Sequence, residues 1–457
     1  ITSSGTVDTG GGFVATTLDI ADGDFMAGKA SFTGKGASAR VSNAGRITAG
    51  QGGYVALLGG SAANSGTITV PLGKLALGSG EQIALDINGS NFLQVAVPSS
   101  VVTGSAALID NSGTITVAGG AVSLKAAVLK DAVRNVINMS GSISADSAVG
   151  SGGTIHLIGG ADTNSMAGQV TVSGSLSARA TGADGDGGFI ETSGQHIDLN
   201  GVQVSTAAAS GKAGTWLIDP TDFTIAASGG DITGAALSSN LAGGSITILS
   251  SNGASGSDGD VTVNDAVSWS SGNSLTLSAE RNVAVNAGIT ATGAGAGLVL
   301  RADNTGTGTG TVLFGGGATA NLSGTNSFAD IYYNPAVFGS PTAFAEVTSG
   351  ETTAYQLVNN LTNLQAIGSY LSGNFALGRD IDASATSGWN SGAGFEPIGN
   401  YTLSSPGPFS GSFDGQDFTI TGLTINRAGT AVGLFGITSN TAKIRRVVLR
   451  GVSVTGR

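Results

Sequence analysis

Along most of this chain apolar and polar residues alternate in short runs, and Gly, Asn or Ser separates one run from the next. Alternation with a period of two marks a β-strand with one buried face. The clearest unit is Asn64-Ser65-Gly66-Thr67-Ile68-Thr69-Val70, which returns unchanged at Asn111-Ser112-Gly113-Thr114-Ile115-Thr116-Val117. Looser copies begin at Asn43, Ser140 and Val172. In each, Asn or Ser caps a turn through its side chain and Gly gives the backbone freedom to turn. Ile68 and Val70 then point to one side, Thr67 and Thr69 to the other. A second phrase, Gly-Gly or Ala-Gly followed by an apolar-x-apolar run, alternates with the first, as at Gly52 to Leu57, Gly152 to Leu157 and Gly243 to Ile248. One such unit cannot bury its apolar face alone, but stacked copies can. The expected fold is all-β, a parallel solenoid with two or three short strands per coil. The marks Gly45, Gly66 and Gly113 lie 21 and 47 residues apart, so the second step is two coils or one with an insertion.

Two stretches break the pattern. Val128, Leu129, Ala132, Val133, Val136 and Ile137 fall at helical spacing, which predicts a short helix over 126–137. Leu357, Leu361, Leu364 and Leu371 predict a helix within 351–371, capped by Thr352 or Thr353. Asp22-Gly23-Asp24-Phe25 reads as a turn. Pro220 cannot donate to a ladder and closes the strand Gly214 to Asp219. The expected organisation is 1–220, a continuation of the coil over 221–350, and a helix followed by a different β repeat over 351–457.

Composition narrows the class. The 457 residues include 77 Gly and 8 Pro, and only 11% are charged. High Gly with Ser, Thr, Asn, Val and Ile fits tight turns between strands, and the low charge is not the signature of disorder. The net charge of −11, with no basic run interleaved with aromatics, argues against nucleic acid as a partner. Cys is absent, which excludes thiolate metal sites and thiol nucleophiles. No apolar run approaches the ~20 residues of a membrane helix. The sequence begins at Ile1 without Met or leader and stops in a strand-turn phrase, so both ends are expected to be cut.

Candidate chemistry is sparse. His156 and His196 sit at outward strand positions, where solvated ladder residues are expected rather than a Ser-His-Asp or two-His metal site. Asp380, Asp382, Glu396, Asp414 and Asp417 could supply the paired carboxylates of a glycosidase, although Asp414-Gly415 also reads as a turn cap. The Asp-Gly-Asp triplets at 22–24, 184–186 and 258–260 could hold Ca²⁺, yet none continues into a full binding loop. No cofactor and no metal is expected. Tyr332, Tyr333, Trp389 and Tyr401 lie in loop-like stretches and are the candidate ligand-binding residues, with corner packing as the alternative.

The segments Gly12 to Ile20, Gly52 to Leu58, the Asn-Ser-Gly-Thr-Ile phrases and Gly214 to Pro220 resemble the N-terminal secretion region of filamentous-haemagglutinin-type exoproteins of two-partner secretion. The Asn-Pro-Asn-Gly motif usual in that family just upstream is absent. Residues 374–457 resemble the Gly-Leu-any-Gly repeat of bacterial adhesins, here Gly433-Leu434-Phe435-Gly436. The resemblance implies a right-handed parallel β-helix, exported through an outer-membrane two-partner transporter and displayed or released as an adhesin by a Gram-negative bacterium. It also implies host or bacterial surface glycans or proteins as partners, and no catalysis. Two alternatives stand beside it: a filament subunit that self-associates through its ends or sides, and a β-helical polysaccharide-acting enzyme. At ~20–25 residues per coil and ~4.8 Å per coil the rod would be on the order of 90–110 Å long.

Overall fold

Burial follows the alternation. In the computed structural model Ile68 and Val70 are fully buried while Thr67 stays exposed. The structure describes residues 1–89, 91–100, 107–128, 135–160, 168–251, 258–399, 407–429 and 431–456. Thr67–Thr69 lies parallel between Arg46–Ala49 and Thr114–Thr116, which puts Ile47, Ile68 and Ile115 in one buried column. The 47-residue step is therefore a single coil. Its extra length includes a hairpin of Gln82–Leu85 and Leu93–Val97, which pairs antiparallel with Ala30–Thr33 and covers a separate small core outside the coil.

The repeating strands assemble into a parallel β-helix. Its spine is a 15-stranded sheet that runs from Gly12–Thr16 to Lys443–Arg445, and every neighbouring pair in it is parallel. A seven-stranded and a six-stranded sheet close the N-terminal coils, and two four-stranded sheets close the later ones. Inward residues form one long core from Val41 to Phe344 and a second from Val358 to Leu434. From the register pairs, coils range from 19 residues (Gln356 to Phe375) to 47 (Leu75 to Val122). Because many coils carry insertions, there are fewer of them than the sequence period predicts. Fourteen steps at ~4.8 Å make the spine about 67 Å long, shorter than expected.

The repeated glycines act by size rather than by conformational freedom. Gly45, Gly66, Gly113, Gly141 and Gly174 adopt no left-handed backbone. A Cβ placed on Gly66, Gly113, Gly141 or Gly174 would fall on the carbonyl oxygen of the column's glycine one coil earlier. A second column, Gly53, Gly73, Gly120, Gly153, Gly188 and Gly214, repeats this relation. Both columns let backbone meet backbone at the spacing of the stacked coils.

Beside the first glycine column runs a buried amide ladder. Asn43 Nδ2 donates to Asn64 Oδ1 and Asn64 Nδ2 donates to Asn111 Oδ1, both at 2.8 Å. The ladder ends where Asn111 Nδ2 meets Met139 Sδ at 3.1 Å. Asn43 also makes the expected turn contact, its Oδ1 accepting from Gly45 N. Asn64→Ala leaves one Asn43 amide hydrogen and the Asn111 acceptor unpaired in the interior, while Asn43 keeps its bond to Gly45 O. It is expected to destabilise the chain by about 1–3 kcal/mol, measured by urea denaturation.

Three local expectations are corrected. Ala126 ends the strand Ala121–Ala126, and Val136 and Ile137 belong to the strand Asn135–Met139, so no helix spans 126–137; positions 129–134 lie outside the described residues. Glu351–Val358 is a spine strand, and the helix is the shorter Leu361–Ala366. Its cap is Asn360, which accepts from Asn363 N at 2.8 Å, not Thr352 or Thr353. Those threonines are β-branched and sit opposite Ala329 and Asp330 in the ladder. Asp22–Met26 is a short helix rather than a turn.

Candidate functional site

On the outer face of the spine, register decides which side chains meet. Arg301, Tyr332 and Tyr355 occupy the same outward position on three successive coils. The two tyrosine rings stack, with centroids 5.0 Å apart and planes 10° from parallel. The Arg301 guanidinium lies 5.7 Å from the Tyr332 ring and that of Arg445 lies 5.8 Å from the Tyr355 ring. Tyr332 is thus in a strand, not a loop, and is 5% exposed. Tyr333 points inward; its hydroxyl accepts from Thr342 N and its ring packs edge-on against Phe344. Trp389 lies at the non-helical kink within Ser384–Gly392 and is half-buried against the second core. Tyr401 lies outside the described residues. Of the three described aromatic candidates, Tyr332 points outward and Tyr333 inward on one spine strand, and Trp389 lies against the second core.

The carboxylates also separate. Asp414 is fully buried and accepts from Gln416 N, Gln416 Nε2, Arg445 Nε, Arg446 Nε and Arg446 Nη2 at 2.6–3.0 Å. Burial alone would raise its pKa, but the hydrogen bonds from Arg446 and Gln416 and the Arg446 charge hold it below the usual carboxylate value. Asp380 accepts from Thr419 N and Asp382 from Ser384 N, as backbone caps. Glu396 and Asp417 are exposed.

Beside the tyrosine stack is a groove of about 400 Å³, with Asp330, Glu351, Thr353, Tyr355, Lys443 and Arg445 along it. Glu351 and Lys443 pair at 3.8 Å, both largely exposed. Asp330 is held above the ordinary carboxylate range by burial, against the nearby positive charge of Arg445. Its closest ionic partner is Arg445 Nη2 at 4.0 Å.

A second polar cluster lies nearer the N-terminus on the same face. His156 Nδ1 is 2.8 Å from Glu191 Oε2, and Ser193 Oγ donates to Glu191 Oε1. Buried Asp219 follows on the next coil, directly opposite Ser193 in register. Burial, then the Glu191 charge, pushes its pKa up to about 7. Between pH 3.8 and about 7 the folded chain keeps a proton that the unfolded chain releases, so this contribution to stability is lost as pH rises through that window. Asp219→Asn is expected to flatten the slope and to be more stable than wild type at pH 8 by on the order of 2–4 kcal/mol. Urea titrations at pH 5 and pH 8 measure both.

His196 lies on a different sheet from His156, so the two histidines share no site. No group of three or more metal-ligating side chains occurs among the described residues. The three Asp-Gly-Asp triplets serve local structure. Asp22 and Asp24 start a helix, Asp186 Oδ1 accepts from Lys212 N, and Asp258 and Asp260 both pair with Arg281. Sequence reasoning missed Glu191, Asp219, Asp330, Tyr355 and the Arg445–Arg446 pair. Nothing local marks them, because their partners are one or more coils away.

No family model matches this chain. A stretch of 118 residues, 24% of the chain, is 43% identical to Halomucin of Haloquadratum walsbyi; the match spans 1% of that protein's length. The HMW1 secretion domain from Haemophilus influenzae can be superposed over 77% of this chain and 76% of its own, with 19% identity and a TM-score of 0.37. A likeness that loose carries nothing from that structure to this one.

Proposed function

We propose that this chain is part of an extracellular, non-enzymatic adhesin rod, exported by two-partner secretion to the surface of a Gram-negative cell. The observation that carries the proposal is the uninterrupted parallel spine, in which each coil buries its apolar column on the coil before it. Such a stack can form one coil at a time. That suits a chain that crosses an outer membrane unfolded and gains its structure outside, with no disulfide to form. Three of the segments that resemble two-partner exoproteins lie on this spine, at Gly12–Thr16, Tyr54–Gly59 and Thr215–Asp219, and the Asn-Ser-Gly-Thr-Ile phrases lie on the sheets that close the same coils. The division at about 220 and 350, with an adhesin-type repeat region beyond, belongs to the same proposal, and the second core beginning at Val358 supports it.

The test is adhesion. Inert beads coated with the chain should bind bacterial or host cells saturably, and soluble chain should compete. Beads that bind no better than uncoated ones would overturn the adhesin reading.

A further inference from the structure

The groove beside Asp330 has an unusual balance of charge. Its cations are already engaged: Arg445 with Asp414, and Lys443 with Glu351. Asp414 has its acceptors filled by two arginines and Gln416, so it has little left to offer a ligand. Asp330 is different. Among the described residues no hydrogen-bond donor reaches its carboxylate, and Arg445 stays at 4.0 Å. Thr353 sits opposite it in register, on the same outward face, and Phe328 and Tyr355 flank it. Burial disfavours its charge, so Asp330 gains from any donor that enters the groove.

We propose that this groove binds a neutral saccharide through a pair of adjacent hydroxyls, both donating to the Asp330 carboxylate. An anionic sugar would face the Asp330 charge, which Arg445 approaches only to 4.0 Å, and a cation would face Arg445. A neutral diol meets neither obstacle. Its hydroxyl protons satisfy the carboxylate, its oxygens can accept from Thr353 Oγ1 and the Arg445 guanidinium, and its C–H face can lie against Phe328. The volume of about 400 Å³ falls within the range of small-ligand sites. This moves recognition from the faces of Tyr332, which Tyr355 and Arg301 occupy, to the groove beside them. The inference rests on the adhesin reading and names the ligand class of one site within it.

The experiment is calorimetric titration of the full chain with maltotriose and laminaritriose as neutral diols, glucuronic acid as the anion and glucosamine as the cation. The neutral sugars should bind, and Asp330→Asn should weaken them about tenfold or more. Glu351→Gln, at the mouth, should stay within about twofold. The Asp330 carboxylate accepts no hydrogen bond from the described residues, so the melting temperature of Asp330→Asn should match or exceed that of wild type. Failure of both neutral sugars to bind would overturn the inference. So would unchanged affinity in Asp330→Asn, or a clear preference for glucosamine or glucuronic acid. The bead assay separates the two readings. Sugar-independent adhesion retained in Asp330→Asn leaves the adhesin standing and removes this site, whereas wild-type beads that fail to adhere remove the adhesin reading itself.

Discussion

Gly113→Ala is expected to destabilise the chain by about 3–5 kcal/mol, as much as the loss of a large core side chain. The added Cβ would land on the Gly66 carbonyl oxygen, with the Ser65 carbonyl carbon and the Asn64 amide close by. Two of these atoms are backbone, so a rotamer change cannot relieve the contact. The coils must separate, and separation opens the parallel ladder between Thr67–Thr69 and Thr114–Thr116. Gly153→Ala, against Gly120 in the other column, should behave alike. Gly10→Ala is the control: nothing lies within 4 Å of its added Cβ, and its cost should stay within about 0.5 kcal/mol. Urea denaturation of the three variants measures the contrast. Equal stabilities would show that the columns are not close-packed.

Asp414→Ala is the second large effect, expected at about 2–4 kcal/mol. Removing one partner of a buried pair costs about 3–5 kcal/mol when the other charge stays buried. Here the orphaned guanidiniums of Arg445 and Arg446 are about half exposed and water screens part of the loss. The consequences extend beyond the pair, since Arg445 also lies over the Tyr355 ring and donates to its hydroxyl. Asp414→Asn keeps the shape and loses the charge, so it should cost less. Because pairing holds the native Asp414 pKa below 3.8, its stabilisation is present above that pH and fades as pH falls through the native value. The gap between wild type and Asp414→Asn should therefore be full at pH 7 and close in strong acid.

The parts of this fold that could be read in the sequence are those set by neighbours along the chain. Thr67-Ile68-Thr69-Val70 states its own strand, its buried face and its turn. The helix near Leu361 was legible in kind but not in extent. Leu357 satisfies a helical period by coincidence while facing outward on a strand, in the small cluster with Tyr332 and Tyr355. What makes the candidate site was not legible. Glu191 meets His156 across 35 residues, Arg446 meets Asp414 across 32, and Tyr355 meets Tyr332 across 23. Each pair meets across one coil, and coils here vary from 19 to 47 residues. A sequence without an alignment does not state its own register. Asp380, Asp382 and Glu396 are close in sequence, yet Asp380 accepts from Thr419 N, Asp382 accepts from Ser384 N and Glu396 stays exposed. The recurrence of the glycines is plain in the sequence, but its cause, the close approach of backbone between coils rather than a turn conformation, is visible only in the fold.

The proposed function is recognition of a surface without cutting it. The most direct measurement is to incubate the purified chain with an array of bacterial and host glycans, record binding, then weigh the glycans by mass spectrometry. Saturable binding to some glycans, all recovered intact, is the predicted result. Shortened glycans, or no binding to any of them, would contradict it.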